Sequence, residues 1–239
     1  MKISDIVNEY KYKTELHAHS SPVSSCGRFT PEEVTNIYLD QGCDTIVLTN
    51  HLTMKHKGLF PTITEAAEYY LSDYCSALEA AKGKNITVCL GAEIRFDGSA
   101  NDYLVYGICP DDIEKMFYYV DKDIQTFYRD FKNDKNIIIH AHPYRSKMDP
   151  TPLGSVDGIE TFNCHPGHNS CVPFACRLAR DNGLLVSGGS DFHESGRHGT
   201  CITRTKTKLN DSYDIAEAIK SRDIIFDIFG HIVFPYNYI

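Results

Sequence analysis

The chain reads as an α/β protein with a largely parallel sheet, and a closed α/β barrel fits it best. Three observations predict this. Strand-like apolar runs alternate with helical periodicities along most of the length, as in β/α folds. No glycine-rich phosphate loop or dinucleotide fingerprint marks an open nucleotide-binding sheet. Six of the apolar runs end in metal-ligand side chains, where barrels of this class place their active sites. These ends are Glu15-Leu16-His17-Ala18-His19, Thr49-Asn50-His51, Gly91-Ala92-Glu93, His140-Ala141-His142-Pro143, Asn163-Cys164-His165 and Ser190-Asp191-Phe192-His193. Side chains two apart on a strand share a face, which pairs His17 with His19 and Asp191 with His193.

In chain order, residues 14–19 form the first predicted strand. Thr30 as N-cap, Pro31 at the first helical position and Glu33 in capping-box spacing then start a helix that Gly42 ends. Residues 44–50 read as a buried strand. Residues 64–82 place Ala67, Tyr70, Leu71, Tyr74 and Leu78 on one helical face. Strands are expected at 86–92 and 103–108, followed by one helical stretch near 113–131. Further strands at 136–140, 158–162 and 184–188 enclose a helix at 172–182. Residues 202–208 alternate Thr203, Thr205 and Thr207 with Arg204, Lys206 and Lys208, giving a basic strand face. That face either meets a phosphate chain or, more in keeping with common practice, guards an exposed sheet edge.

At 239 residues and 42% hydrophobic, the chain is expected to build one domain over residues 1–239. A formal charge of −8 and a pI near 5.7 argue against a long nucleic-acid groove or an anionic membrane as partner, while admitting a small anionic substrate. Residues 1–13 lack an apolar signal core and no later run approaches membrane length, so a soluble, unexported, cytoplasmic protein is expected. The nine cysteines are odd in number, scattered and without a Cys-x-x-Cys pair, which argues against a disulfide framework. Cys43, Cys75 and Cys89 read as small buried hydrophobes. The fifteen tyrosines and twelve phenylalanines read as packing rather than a base-stacking platform. Oligomeric state leaves no trace in the sequence.

A lone histidine on a strand is usually structural. An ordered set of histidines with two acids, all at strand ends, instead indicates a metal site, and imidazole with carboxylate suits Zn, Mn or Fe. Hydrolysis by an activated water is the natural chemistry of such a site.

These ordered motifs, from about Glu15 to His193, resemble the PHP family, named for its polymerase and histidinol-phosphatase members. The resemblance implies a distorted (β/α)7 TIM-like barrel, two or three divalent metal ions, and hydrolysis of phosphate monoesters or diesters of small molecules or nucleotides. It implies that His17, His19, Glu93 and Asp191 hold a first metal, that Glu93 bridges to a second also held by His142, and that His51 and His193 serve a third. Three positions depart from the family pattern. The loop after the first strand offers Cys26, either a thiolate ligand for a soft metal or an ordinary loop cysteine. Asn50 stands where the family has Asp. Gly107-Ile108-Cys109 replaces a family histidine, leaving Cys109 and Asp102 as substitute candidates.

Arg145 is the leading candidate for phosphate recognition, with Arg95, Arg28 and Arg197 behind it. His165 and His168 are candidates for contacting substrate or protonating the leaving group, against a loop-stabilising role. His140 reads as a hydrogen-bonded core histidine, and His56 and His198 are weaker candidates. Two other readings stay open. Related metal-dependent barrels hydrolyse C–N bonds, typically with a modified bridging lysine, which no motif strand end supplies here. A non-catalytic metal or nucleotide sensor is the third.

Overall fold

A computed structural model describes residues 2–194, 196 and 198–236. The order of elements is α1 (Ile3–Glu9), β1 (Tyr12–Ala18), α2 (Pro31–Asp40), β2 (Thr45–Leu48), β3 (His51–Leu52), α3 (Met54–Leu59), α4 (Ile63–Ala81), β4 (Thr87–Leu90), β5 (Ala92–Arg95) and β6 (Asp102–Tyr106). It continues with α5 (Pro110–Phe117), α6 (Ile124–Phe131), β7 (Ile137–His140), β8 (Gly158–Asn163), α7 (Val172–Asn182), β9 (Leu185–Gly189), β10 (Ile202–Thr205), α8 (Ser212–Ser221), β11 (Ile225–Ile228) and β12 (His231–Val233).

Local chemistry accounts for the helix starts. The Thr30 hydroxyl accepts from the Glu33 amide at 3.3 Å while the Glu33 carboxylate accepts from the Thr30 amide at 2.8 Å, closing the expected capping box of α2. Thr62 and Glu65 repeat the device at the head of α4. The single helical stretch expected over 113–131 is two helices, because Asp123 caps a fresh start by accepting from the Thr126 amide at 2.7 Å. On α4 the buried face is Ala66, Ala67, Tyr70, Asp73 and Ala77, while Leu78 is exposed.

The strands form two sheets, in the orders β12-β11-β10-β1-β2-β4 and β3-β5-β6-β7-β8-β9. A closed ring of parallel strands is not found among the described residues. The run expected as one strand over 44–50 breaks after Leu48 and resumes as β3 in the other sheet, and β4 and β5 break likewise at Gly91. A Cβ at Gly91 would lie 2.9 Å from both Val47 and Thr49 side chains, so only glycine allows the runs to bend together there. The strand β6 is antiparallel to both β5 and β7. Only residues 96–101 separate it from β5, too few for the dozen or more a parallel crossover needs. The sheets also meet where Ala18 bridges to Phe192, bringing the ends of β1 and β9 side by side.

Tyr70 of α4, Phe117 of α5 and Phe127 of α6 pack with Ile94 of β5 in one core cluster, and Leu16, Leu104, Tyr106 and Phe226 pack with Ala175 of α7 and Ile215 of α8 in another. Val34, Tyr38, Ile46 and Phe192 fill the space beneath α2. All nine cysteines are free; Cys43, Cys89 and Cys201 are buried, but Cys75 is exposed, since it faces away from the sheet on α4. The basic segment at 202–208 is not an edge. Its strand β10 lies between β1 and β11, and Arg204 is spent on Asp227 at 2.7 Å, so neither the phosphate nor the edge-guard reading holds. No helix is long and apolar enough to cross a membrane.

Candidate metal centre

The carboxyl end of β1 carries His17 and His19 into a buried cluster, and Gly189 makes room for them. A Cβ on Gly189 would stand 2.4 Å from that of His17. Beyond β9 and β7 the chain turns through left-handed conformations at Asp191 (φ 51°) and His142 (φ 33°), which aim both side chains back over the strand ends. Backbone strain of this kind is found where function requires a fixed geometry.

Glu93, at the centre, is reached by four imidazoles. Its Oε1 lies 3.0 Å from His142 Nε2 and 3.4 Å from His17 Nε2, and its Oε2 lies 2.8 Å from His51 Nδ1 and 3.3 Å from His19 Nε2. Asp191 closes the other side, with Oδ1 3.5 Å from His17, 3.4 Å from His19 and 3.4 Å from His193. Ligand atoms of three groups lie within 4.8 Å of one another: His17, His19 and Asp191; His19, His51 and His193; and His51, Glu93 and Asp102.

The donor set fits divalent cations. The Nε2 atoms of His17 and His19 are 3.1 Å apart, and the buried Oε2 of Glu93 lies 2.8 Å from His51 Nδ1. Convergent imidazole nitrogens and carboxylate oxygens are what Zn, Mn or Fe take. Opposite charges within the cluster hold one another. Burial lowers the His17 pKa, but Glu160, Asp191 and Glu93 carry it well above the usual value. Burial raises those of Glu93 and Asp191, yet His51 and His17 around the first, and His17, His19 and Arg145 around the second, hold both well below the carboxylate range. In His19 burial and then the charges of His193 and His51 push the pKa well down.

No family model matches the sequence, and no curated protein matches it significantly. Solved structures do. A two-domain protein of Bacteroides vulgatus containing a predicted PHP-like metal-dependent phosphoesterase superposes with a TM-score of 0.65 at 22% identity, over 90% of this chain. This chain spans 64% of that protein's length. A Bifidobacterium adolescentis protein described as a metal-dependent phosphoesterase gives a TM-score of 0.52 at 16% identity, covering 91% of this chain and 98% of its own. An amidohydrolase of Chromobacterium violaceum, solved with sulfate and no metal, gives a TM-score of 0.52 at 16% identity, covering 94% and 98%.

The fold is of the PHP type.

Within this PHP-type frame the cluster opens into a cavity of about 310 Å³. Its walls carry Cys26, His51, Glu93, His142, Asp191 and His193, with Asp102 beside them. Cys26 is at the rim; partial burial would raise its thiol pKa, but contacts with His193 and His51 bring it down to about 6. Of the two substitute candidates, Asp102 is in the wall. Cys109 is not: it sits at the head of α5 with its sulfur 3.3 Å from Asp112, because its strand has already left the cluster.

Arg145 reaches in from the turn after β7 and bonds Asp191 and, at 2.9 Å, the Asn163 Oδ1. Arg95 is on Asp102, and Arg28 is 3.4 Å from Glu194 at the rim. Arg197 lies outside the described residues. His165 and His168 line the cavity with ring centroids 4.7 Å apart. The Nδ1 of His165 accepts from the Gly167 amide at 3.0 Å, which places its proton on Nε2. Burial brings the His165 pKa down to about 4 and lowers that of His168. His140 is a core residue bonded to Thr151 at 2.9 Å, and His56 is held on the Val23 carbonyl at 2.9 Å. His198 packs against Phe192 outside the cavity wall.

Three supporting residues escape sequence reasoning. Glu160 holds His17 Nδ1 at 2.9 Å, the His142 amide at 3.0 Å and Asn163 at 3.0 Å. Asn163 passes that order on to Asp191 and Arg145. Asp73 of α4 accepts from Ser20 at 2.8 Å and from Asn50 at 3.0 Å, so the charge missing at position 50 stands next door. A single acid within the apolar strand run 158–162 was the one visible signal for Glu160; a lone aspartate on the apolar face of α4 was that for Asp73.

Proposed function

We propose that the protein is a metal-dependent phosphoesterase acting on a small phosphorylated molecule or nucleotide. The observation that supports this best is Glu93, a buried carboxylate with two histidines on each oxygen, among them His142 at 3.0 Å and His51 at 2.8 Å, a residue that would serve more than one cation position. In this reading His17, His19, Glu93 and Asp191 hold the first cation, with His142, His51, His193 and Cys26 serving further positions. A divalent Zn, Mn or Fe there supplies Lewis acidity and an acidic water.

The chain's own residues do the rest. Arg145, anchored on Asp191 and Asn163, presents its remaining N–H groups to phosphoryl oxygens. His165, neutral, offers its Nε2–H as a hydrogen bond to the leaving oxygen, which takes its proton from water, and His168 beside it orients the ester. The three guanidiniums of Arg28, Arg95 and Arg145 around a 310 Å³ cavity suit a compact anion in a protein of net charge −8. Residues 1–239 act in this reading as one cytoplasmic catalytic unit.

Likeness to an amidohydrolase favours a second reading, hydrolysis of a C–N bond. Against it, no lysine lines the cavity among the described residues, and sulfate, which that protein binds, has the shape of phosphate. The test is phosphate or alcohol release from a panel of monoesters and diesters by protein stripped and reloaded with Mn, Zn or Fe, with Asp191→Ala as control. Turnover in the unmutated protein alone supports the proposal. Ammonia or amine release without phosphate transfers the assignment to amide hydrolysis, and tight metal binding with no turnover leaves a binding module.

A further inference from the structure

Asp102 and Arg95 are directly opposed in the antiparallel register of β5 and β6. Glu93 is two residues before Arg95 on the same face of β5, so the three side chains stand together at the cavity wall. Arg95 grips both oxygens of Asp102, one through Nε at 2.6 Å and the other through Nη2. The same carboxylate has Oδ2 3.7 Å from His142 Nε2, and its oxygens group with His51 and Glu93 within 4.8 Å. Glu93 Oε2 in that group is buried, 2.8 Å from His51 Nδ1.

The two partners differ in freedom. The Asp102 side chain is 2% exposed and that of Arg95 is 45% exposed. The guanidinium can swing into the cavity and stay hydrated, whereas the carboxylate cannot leave. A buried carboxylate stripped of a two-point guanidinium partner is unfavourable, so release of Arg95 is favoured by another cation in its place.

We propose that Asp102 is a ligand for the second cation, that Arg95 is its stand-in when that position is empty, and that cation binding hands the Arg95 guanidinium to the phosphoryl group of the substrate. This rests on the phosphoesterase reading for the identity of the anion, but not for the exchange itself. Arg95 is thereby a substrate-binding residue only in the fully loaded protein, and the second cation and substrate bind with positive cooperativity.

The experiment is a titration of the stripped full chain with Mn²⁺, read by calorimetry for stoichiometry and by electron paramagnetic resonance for spin-coupled pairs. Unmutated protein, Asp102→Asn and Arg95→Gln are compared. Asp102→Asn is expected to keep the tightest equivalent and to weaken the next at least tenfold, with loss of the coupled signal. Arg95→Gln is expected to tighten that second equivalent severalfold, because its competitor is gone, and to weaken binding of inorganic phosphate to the loaded protein. Asp102→Asn retaining the same second affinity, or Arg95→Gln weakening rather than tightening it, overturns the proposal. Arg95 is half exposed, so the second variant remains informative if the first misfolds. The metal readout also separates the two claims: exchange with no ester turnover retains this inference and removes the phosphoesterase assignment.

Discussion

The Nδ1 of His17 lies 2.9 Å from Oε1 of Glu160, and neither side chain reaches solvent. This contact sets the imidazole plane and leaves Nε2 aimed at Glu93 and Asp191. Carboxylates in this position behind a metal-binding histidine commonly raise affinity by about 10- to 100-fold. Glu160→Gln keeps a hydrogen-bonding group of the same size and loses the charge. The expected result is cation affinity lower by about that factor with the fold retained by circular dichroism. Unchanged affinity in a metal titration would remove Glu160 from the site.

Arg145 binds Asp191 and Asn163 with one nitrogen and lines the cavity. Arg145→Ala is expected to lower kcat/KM for phosphoesters by about 10²-fold, the scale of losing one fixed donor to a developing charge. Steady-state kinetics on the metal-loaded enzyme checks this, and a variant as active as the parent assigns Arg145 a purely structural role.

With its Nδ1 occupied by the Gly167 amide and its pKa near 4, His165 is neutral at pH 7 with the proton on Nε2. A neutral hydrogen-bond donor to the leaving oxygen matters most when that oxygen becomes strongly basic. His165→Gln is therefore expected to slow alkyl phosphates by about 10²-fold or more and p-nitrophenyl phosphate far less. Equal losses on both would assign His165 to binding.

Burial, and then the charge of His142, takes the pKa of His140 from 6.5 down to about 3. Between these values the unfolded chain binds a proton that the folded chain excludes. This contribution to stability is complete above pH 6.5 and is lost as pH falls towards 3, at up to about 1.4 kcal/mol per pH unit. Thermal melts of His140→Phe, which keeps a ring against Tyr103, should show a shallower decline across that window than the parent.

Asn50 donates to Asp73 at 3.0 Å in a fully buried network with Ser20. Asn50→Asp would set two carboxylates side by side, at an expected cost of about 3 kcal/mol in denaturant unfolding. Asp73→Asn in the same chain should recover most of it, and a double-mutant cycle measures the coupling. Additive losses would show that the charge has not simply moved from position 50 to position 73.

The pattern of Asn50 and Asp73 also shows where reading from sequence stops. The departure at position 50 was visible in the Thr-Asn-His motif, but Asp73 is far along the chain and sits among apolar residues of α4, so nothing local tied the two together. The same holds for Asp102, whose place in the wall follows from its register with Arg95 and not from its neighbours in sequence. Cys109, closer to the family's pattern, falls outside the cavity for the same reason.

What the sequence determined by itself were the features governed by short-range rules. Alternation along a strand put His17 with His19, and the capping residues around Thr30 and Glu33 set the start of α2; Asp191 and His193 lie beyond β9, where a left-handed turn at Asp191 and not strand alternation places them. The order of strand-end candidate ligands, from His17 to His193, was legible because each lies within a few residues of its own apolar run. Tertiary structure alone decided the reversed direction of β6, the division of the strands into two sheets, the burial of β10, and the carboxylates of Glu160 and Asp73 behind the site. These depend on which strand lies beside which and in what register, and a shift of one residue in that pairing would turn every side chain to the opposite face.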